Sequence, residues 1–176
     1  ISAIVHKVKN NTKNKNVWIS RKLNEESIFS KLLTNKGHNV TGQSLIEKEE
    51  IKINQLPKCD WIFFNSIFSF DSIKILKNKF LSKKIAAFGK STASYLTKNG
   101  LNVDFVGKGS PLETANGFKK ILNNTEIVFF PSSSRTIGTV QSLLDKKNKI
   151  VLSTYNTTLI EALIKSHDFY VFTSPS

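Results

Sequence analysis

The chain has 176 residues, 39% of them hydrophobic, and a formal net charge of +13. That length suits one large or two small folded units, no apolar run approaches the roughly 18–20 residues that span a bilayer, and no signal-peptide pattern opens the chain. So positive a balance fits nucleic acid, a membrane surface or a small polycarboxylate or polyphosphate, with compositional bias towards Lys and Asn as the competing source. Base-edge readout is disfavoured, because Arg21 and Arg135 are the only arginines and the lysines are scattered over predicted helix faces rather than clustered.

Residues 1–16 are distinct in character. Positions 1–5 could form a short strand, and the Lys/Asn-rich stretch that follows, with an idle His6, has no periodicity and reads as a linker. Residues 17–19 form a strand closed by Ser20 and Arg21. Apolar residues at 28, 29, 32 and 33 predict a helix over 25–35, ended by Gly37 in a left-handed turn beside a structural His38. Residues 40–46 are extended, and 47–56 are a polar crossing. The single cysteine, Cys59, excludes an internal disulfide, fits a reducing cytosol, and precedes an apolar strand as a packing residue.

From Asp60 a regular rhythm begins. Strands over 61–64, 85–88, 103–106, 127–130 and 150–155 alternate with helices over 68–79, from about 92 to 100, 112–122 and from about 135 to 146. Such alternation implies right-handed βαβ crossovers and a parallel sheet. A short helix over 158–165, a surface His167 and a strand over 169–172 close the chain. One pattern occurs twice, about 108 residues apart. Asp60-Trp61-Ile62-Phe63-Phe64-Asn65-Ser66 and Asp168-Phe169-Tyr170-Val171-Phe172-Thr173-Ser174 each join an aspartate to an apolar run that ends in small polar residues. The repeat predicts two similar α/β units.

Four strand ends share one design: Asn65-Ser66, Gly89-Lys90-Ser91-Thr92, Pro131-Ser132-Ser133-Ser134 and Thr173-Ser174-Pro175-Ser176. Carboxyl ends of parallel strands share one edge, where helices begin with unsatisfied N–H groups that receive carboxylates or phosphates. The same hydroxyls also serve as plain helix N-caps, and both readings stand at this point. Gly89-Lys90-Ser91-Thr92 lacks the earlier glycine of a P-loop, since Lys84 occupies that position. Gly107-Lys108-Gly109-Ser110 does not continue as a dinucleotide fingerprint. Neither a catalytic triad, nor a carboxylate pair, nor a metal set can be assembled, so an enzyme of this kind would act by holding its substrate in shape.

Taken in order, these segments resemble the uroporphyrinogen-III synthase family over residues 17–176. The family's opening strand ending in Thr-Arg corresponds to Ser20-Arg21, and its Gly-His turn to Gly37-His38. Its hallmark Asp-Trp-x-x-Phe-Thr-Ser corresponds to residues 60–66, with Asn65 replacing Thr. Gly-x-x-Thr-Ala is found at Gly89-Lys90-Ser91-Thr92-Ala93, Leu-x-x-x-Gly at 96–100, a Pro-ended strand at Pro131, and Tyr-x-Thr at Tyr155-Asn156-Thr157. A second Phe-Thr-Ser-Pro-Ser stands at 172–176.

The resemblance implies two Rossmann-like, doubly wound parallel-sheet domains joined by a two-strand linker, with substrate in the cleft between them. Residues 1–16 would be an extension, 17–55 with 156–176 a first domain, and 56–155 an inserted second domain. The chain has no methionine and ends just after a strand, so the first domain is expected to be incomplete here. The implied reaction closes hydroxymethylbilane, a linear tetrapyrrole with eight carboxylates, to uroporphyrinogen III. Water is lost and the last pyrrole ring is inverted, with no cofactor. The implied protein is a cytoplasmic monomer of haem biosynthesis, functionally coupled to hydroxymethylbilane synthase. Tyr155 matches the family's cleft tyrosine and would assist hydroxyl departure by hydrogen bonding, and Thr92 matches a cleft threonine. Ser20, Arg21 and Lys90, the segment Asn65, Ser66, Ile67 and Phe68, and Gly89, Ser91, Ser132 and Ser133 would bind substrate, together with Thr173, Ser174, Pro175 and Ser176. A non-catalytic module that senses an acidic small molecule is the alternative, and a nucleic-acid-binding domain ranks lower because the Phe residues sit in apolar patterns.

Overall fold

The computed structural model describes residues 14–23, 27–135 and 140–172. The chain forms two compact units, residues 48–158 and a discontinuous unit of residues up to 47 together with those from 159 onward. The polar segment read as a crossing and the last strand of the βα series are where the chain passes from one unit to the other.

The discontinuous unit holds β1 (Asn16–Ile19), α1 (Ile28–Asn35), β2 (Asn39–Gly42) and β9 (Phe169–Val171). Its sheet has the order β2-β1-β9, with both pairings parallel. The Ser27 hydroxyl caps α1 by accepting from the Ser30 amide. At the other end Gly37 takes φ +82, and the His38 and Gly37 amides reach back to the Leu33 and Thr34 carbonyls, so a left-handed residue ends the helix as the sequence predicts.

The continuous unit is built on a six-stranded sheet of order β3-β8-β7-β4-β5-β6. Its strands are β3 (Ile46–Glu50), β4 (Trp61–Phe64), β5 (Lys84–Ala87), β6 (Phe105–Val106), β7 (Val128–Ser133) and β8 (Lys149–Leu159). Pairings β4/β5, β4/β7, β5/β6 and β7/β8 are parallel. All four residues of β4 are buried, as a central strand covered on both faces requires. Alternate side chains enter opposite layers. Ile62 and Phe64 pack with Phe70, Phe80 and Leu96 on one face, and Trp61 and Phe63 with Ala115, Phe118 and Phe130 on the other. The first face is covered by α2 (Ile67–Asp71) and α3 (Lys90–Lys98), the second by α4 (Pro111–Lys119) and the turn at Val140–Leu143. Cys59 is buried in the first layer, and burial pushes its thiol pKa up, as suits a packing residue.

The aspartate of the repeated pattern has a specific task. Asp60 accepts the Ile127 amide at 2.8 Å through its carboxylate, while its own amide donates to the Ile127 carbonyl at 2.9 Å. Asp168 does the same to Asn16, at 2.8 and 2.9 Å. A third copy, Asp104-Phe105, clasps Ile85 at 2.7 and 2.8 Å. Each aspartate precedes an aromatic residue at the start of a strand and pins it to a parallel neighbour.

Four expected elements differ. The helix expected over 68–79 is broken into α2 and a 3-10 segment, Lys74–Phe80. Ser69 and Ser72 donate their hydroxyls to the Ser66 and Ser69 carbonyls, and such local bonds compete with a continuous helix. The strand expected to break at Pro131 runs on to Ser133, because pairing with β4 stops at Phe129 and leaves Pro131 where β7 has β8 alone as neighbour. Of the helix expected beyond it, residues 136–139 lie outside the described residues, and the remainder is short 3-10 turns. The helix expected over 158–165 is absent. β8 continues to Leu159 and an irregular segment follows, with Leu159 and Leu163 exposed and no core to reward a helical stripe.

Candidate functional site

From β4 the chain adds β5 and β6 on one side, then returns to place β7 and β8 on the other. Open α/β sheets bind ligands outside the carboxyl ends of the strands at such a reversal. Here an open cavity of about 430 Å³ lies at the carboxyl end of β4. Asn65, Ser66, Ile67 and Phe68 line it as the chain leaves β4, Ser91 and Thr92 line it from the first turn of α3, and Lys48 and Asp71 complete it. Six residues expected from sequence therefore share one wall.

Their hydrogen bonds assign them different tasks. The Ser66 and Ser69 hydroxyls each accept the other residue's amide at 3.2 Å, so Ser66 serves as the N-cap of α2. Asn65 donates Nδ2–H to Gln141 at 3.2 Å, and Gln141 in turn reaches the Ser132 hydroxyl at 3.5 Å. A side-chain chain thus crosses the reversal from β4 to β7. The extra donor that Asn supplies in place of Thr is engaged there, and its Oδ1 is buried without a partner among the described residues. Gly89 caps α3 with no side-chain bond, so the first amides of α3 are left to other acceptors. Lys90 is exposed at that same helix start, and Thr92 is buried against the cavity.

Tyr155 stands on β8 behind Phe68, with ring centroids 4.8 Å apart and edge-to-face geometry. It is 8% exposed. Burial pushes its phenol pKa up, with the Ser66 hydroxyl acting against the rise. The group is therefore a neutral hydrogen-bond donor around neutral pH. Ser132 and Ser133 lie within β7 rather than at a helix start. Ser132 is buried, and the Ser133 hydroxyl lies 3.0 Å from that of Thr157 and accepts the Arg135 amide.

In the discontinuous unit, the Ser20 amide donates to the Val171 carbonyl at 2.9 Å, and Arg21 donates to the Ser27 hydroxyl that caps α1 at 3.3 Å. Residues Thr173, Ser174, Pro175 and Ser176 lie outside the described residues. His167, read as a surface residue, helps line a cavity of about 340 Å³ in this unit, its Nε2 2.8 Å from the Thr41 hydroxyl.

Sequence reasoning missed Lys48, Asp71 and Gln141. The Asp71 carboxylate accepts the Tyr95 phenol at 2.9 Å, which with burial holds the phenol pKa up. The Lys48 ammonium lies 4.8 Å from the Phe68 ring centroid and 5.9 Å from that of Tyr155. Although the residue is exposed as a whole, partial burial lowers its pKa and Asp71 opposes this. Among the described residues no group of three or more His, Cys, Asp or Glu could hold a metal ion, and no helix is long and apolar enough to cross a membrane. The site offers hydroxyls, helix-start amides, one ammonium and one carboxylate, a set suited to orienting an acidic ligand.

Comparison with known proteins gives a family and a fold. Residues 27–176 match the model of a family described as uroporphyrinogen-III synthase HemD. The fold is similar to the crystal structure of uroporphyrinogen-III synthetase from Helicobacter pylori, with a TM-score of 0.59, 16% identity, and coverage of 86% of this chain and 65% of that one. It is also similar to a mutant uroporphyrinogen III synthase from the extremely thermophilic bacterium Thermus thermophilus, with a TM-score of 0.56, 13% identity, and coverage of 83% and 64%. At such identities the likeness is one of fold, and the chain spans a little under two thirds of the length of these structures. A search of curated proteins finds no match.

Proposed function

The chain belongs to the uroporphyrinogen-III synthase family, and from that premise we propose that the protein converts hydroxymethylbilane to uroporphyrinogen III, as a hydro-lyase. The hydroxyl of the hydroxymethyl group leaves as water, its methylene carbon stays as the bridge that closes the macrocycle, and the last pyrrole ring is inverted. The observation that carries this reading is the cavity at the end of β4. Its wall includes Asn65 and Ser66, which end the hallmark motif of the resemblance, Ile67 and Phe68 just after them, and Ser91 and Thr92 from the Gly-x-x-Thr-Ala segment.

The substrate is flexible and its spontaneous closure leaves the last ring uninverted, so the protein's contribution is to impose a fold on it. The Ser91 and Thr92 hydroxyls and the uncapped amides at the start of α3 receive a side-chain carboxylate, favoured there by the helix dipole. Phe68 offers an apolar surface to a pyrrole ring. The Tyr155 phenol, neutral around neutral pH as phenols are, lends a hydrogen bond to the departing hydroxyl rather than a full proton. Holding the ends of the tetrapyrrole in the productive arrangement replaces an entropic search with an oriented closure.

Product analysis tests this. Hydroxymethylbilane generated in situ is incubated with the protein and oxidised, and the uroporphyrin isomers are separated. Isomer III above the no-protein control is the expected result. Isomer I alone, from folded protein, would remove the synthase reading.

A further inference from the structure

Lys48 is the one cation among the residues that line the cavity at the end of β4. It comes from β3, within the polar stretch that sequence reading treats as a crossing between units. Its ammonium sits over the rings of Phe68 and Tyr155, 4.8 and 5.9 Å from their centroids. Aromatic faces hold a cation in place and remove part of its water. Among the described residues Lys48 is in neither ion pair, those being Lys15–Asp168 and Lys84–Glu126. The Asp71 carboxylate lines the same cavity, accepts the Tyr95 phenol and acts on the Lys48 ammonium through charge, without forming an ion pair with it. An ammonium that is partly desolvated, positioned and without an ion-pair partner is a site for an anion.

We infer that Lys48 pairs with a carboxylate side chain of the ligand in this cavity, and that it selects for acidic over esterified tetrapyrroles. The hydroxyls of Ser91 and Thr92 are further donors in the same cavity, so a planar carboxylate has donors besides the ammonium to satisfy its lone pairs. Partial burial lowers the Lys48 pKa, and a bound carboxylate would act against that. The identity of the ligand as a tetrapyrrole rests on the proposed function, whereas the carboxylate preference rests on the cavity itself.

The test uses uroporphyrin III, a stable octacarboxylate, titrated by its fluorescence against the parent protein, Lys48→Gln, Lys48→Arg and a control, Lys79→Gln, whose lysine is exposed outside the cavity. Lys48→Gln is expected to weaken binding by about tenfold and to flatten its salt dependence, with Lys48→Arg and Lys79→Gln within about twofold of the parent. The octamethyl ester should bind the parent and Lys48→Gln equally. Equal uroporphyrin affinity and equal salt dependence in the parent and Lys48→Gln would overturn the inference, as would a parent that does not bind uroporphyrin. Isomer analysis of the same proteins separates the two claims. A Lys48 effect on binding without isomer III removes the synthase reading alone, while isomer III formed with the same KM by the parent and Lys48→Gln removes the Lys48 inference alone.

Discussion

Phe63→Ala should cost the continuous unit most of its margin of stability while leaving the chemistry of the cavity intact. Phe63 is fully buried in the middle of β4. Its ring lies 5.1 Å from those of Phe118 and Phe130 and 6.4 Å from that of Phe105. Truncating a fully buried Phe costs about 3–5 kcal/mol through lost burial and the cavity left behind, and each aromatic contact is worth about 0.5–1.5 kcal/mol beyond burial. The facing groups are rings fixed on β7, β6 and α4, which cannot collapse into the space, so the upper half of that range applies. With a urea dependence near 2 kcal/mol/M, the unfolding midpoint of this unit should fall by about 2 M. Phe68→Ala makes the contrast, because Phe68 is half-buried on the cavity wall. It should move the midpoint by less than about 0.7 M, or roughly 1.4 kcal/mol, yet weaken uroporphyrin binding. Urea titrations followed by tryptophan fluorescence, which reports Trp61 in the same layer, measure both shifts. A midpoint shift under about 0.5 M for Phe63→Ala, or an equal shift for the two variants, would refute the assignment of Phe63 to the core and Phe68 to the cavity wall.

Tyr155→Phe keeps the edge-to-face contact with Phe68 and removes one hydrogen bond, worth about 1 kcal/mol. The rate of isomer III formation should fall by less than about tenfold with KM unchanged, as steady-state kinetics would show. Gly107→Ala should lower Tm by several degrees in calorimetry. Its new Cβ would lie 2.3 Å from Thr114 Cγ2 and 2.4 Å from the Phe88 carbonyl oxygen, and a backbone oxygen cannot yield cheaply, so the cost is about 1–3 kcal/mol. Partial burial pushes the Glu126 carboxyl up, but the Lys84 ammonium, the Asn123 amide and the Trp61 indole outweigh this and hold it below the usual range. A carboxyl whose folded pKa is depressed adds stability above its unfolded pKa and loses it as pH falls through the folded one. Glu126→Gln should therefore lower the urea midpoint at neutral pH and decline less steeply below about pH 5, whereas parallel pH curves would contradict this.

The strand-helix alternation from Asp60 onward is legible because the strands are apolar on both faces and end in abrupt polar residues. The Asp-aromatic repeat at 60 and 168 is legible for the same reason, and its third copy at Asp104 is hidden because β6 has only two residues. What local pattern could not show is which hydrogen bonds win. Ser69 and Ser72 break an apolar stripe that scores as one helix, and Leu159 and Leu163 make a helical stripe that finds no core. In the cavity, the ends of β4 and β5 are announced by their own residues. Lys48, Asp71 and Gln141 are not, since a lysine among many, an aspartate at the end of α2 and a glutamine in a short turn acquire meaning only from the order of strands in the sheet.

The three aspartate clasps differ in what they must wait for. Those at Asp104 and Asp60 tie residues 85 to 104 and 60 to 127, all inside one uninterrupted stretch of chain. The clasp at Asp168 ties residue 16 to 168, across the entire intervening unit. Closing a joint between distant segments carries a larger entropic cost and proceeds more slowly. On a growing chain, the continuous unit can have both its joints shut while β1 still lacks its last neighbour, because Asp168 has yet to be made. The parallel pairing of β1 with β9 then comes later than either clasp of the continuous unit, and its pin spares a late-arriving strand a one-residue slip that would turn every side chain to the wrong face.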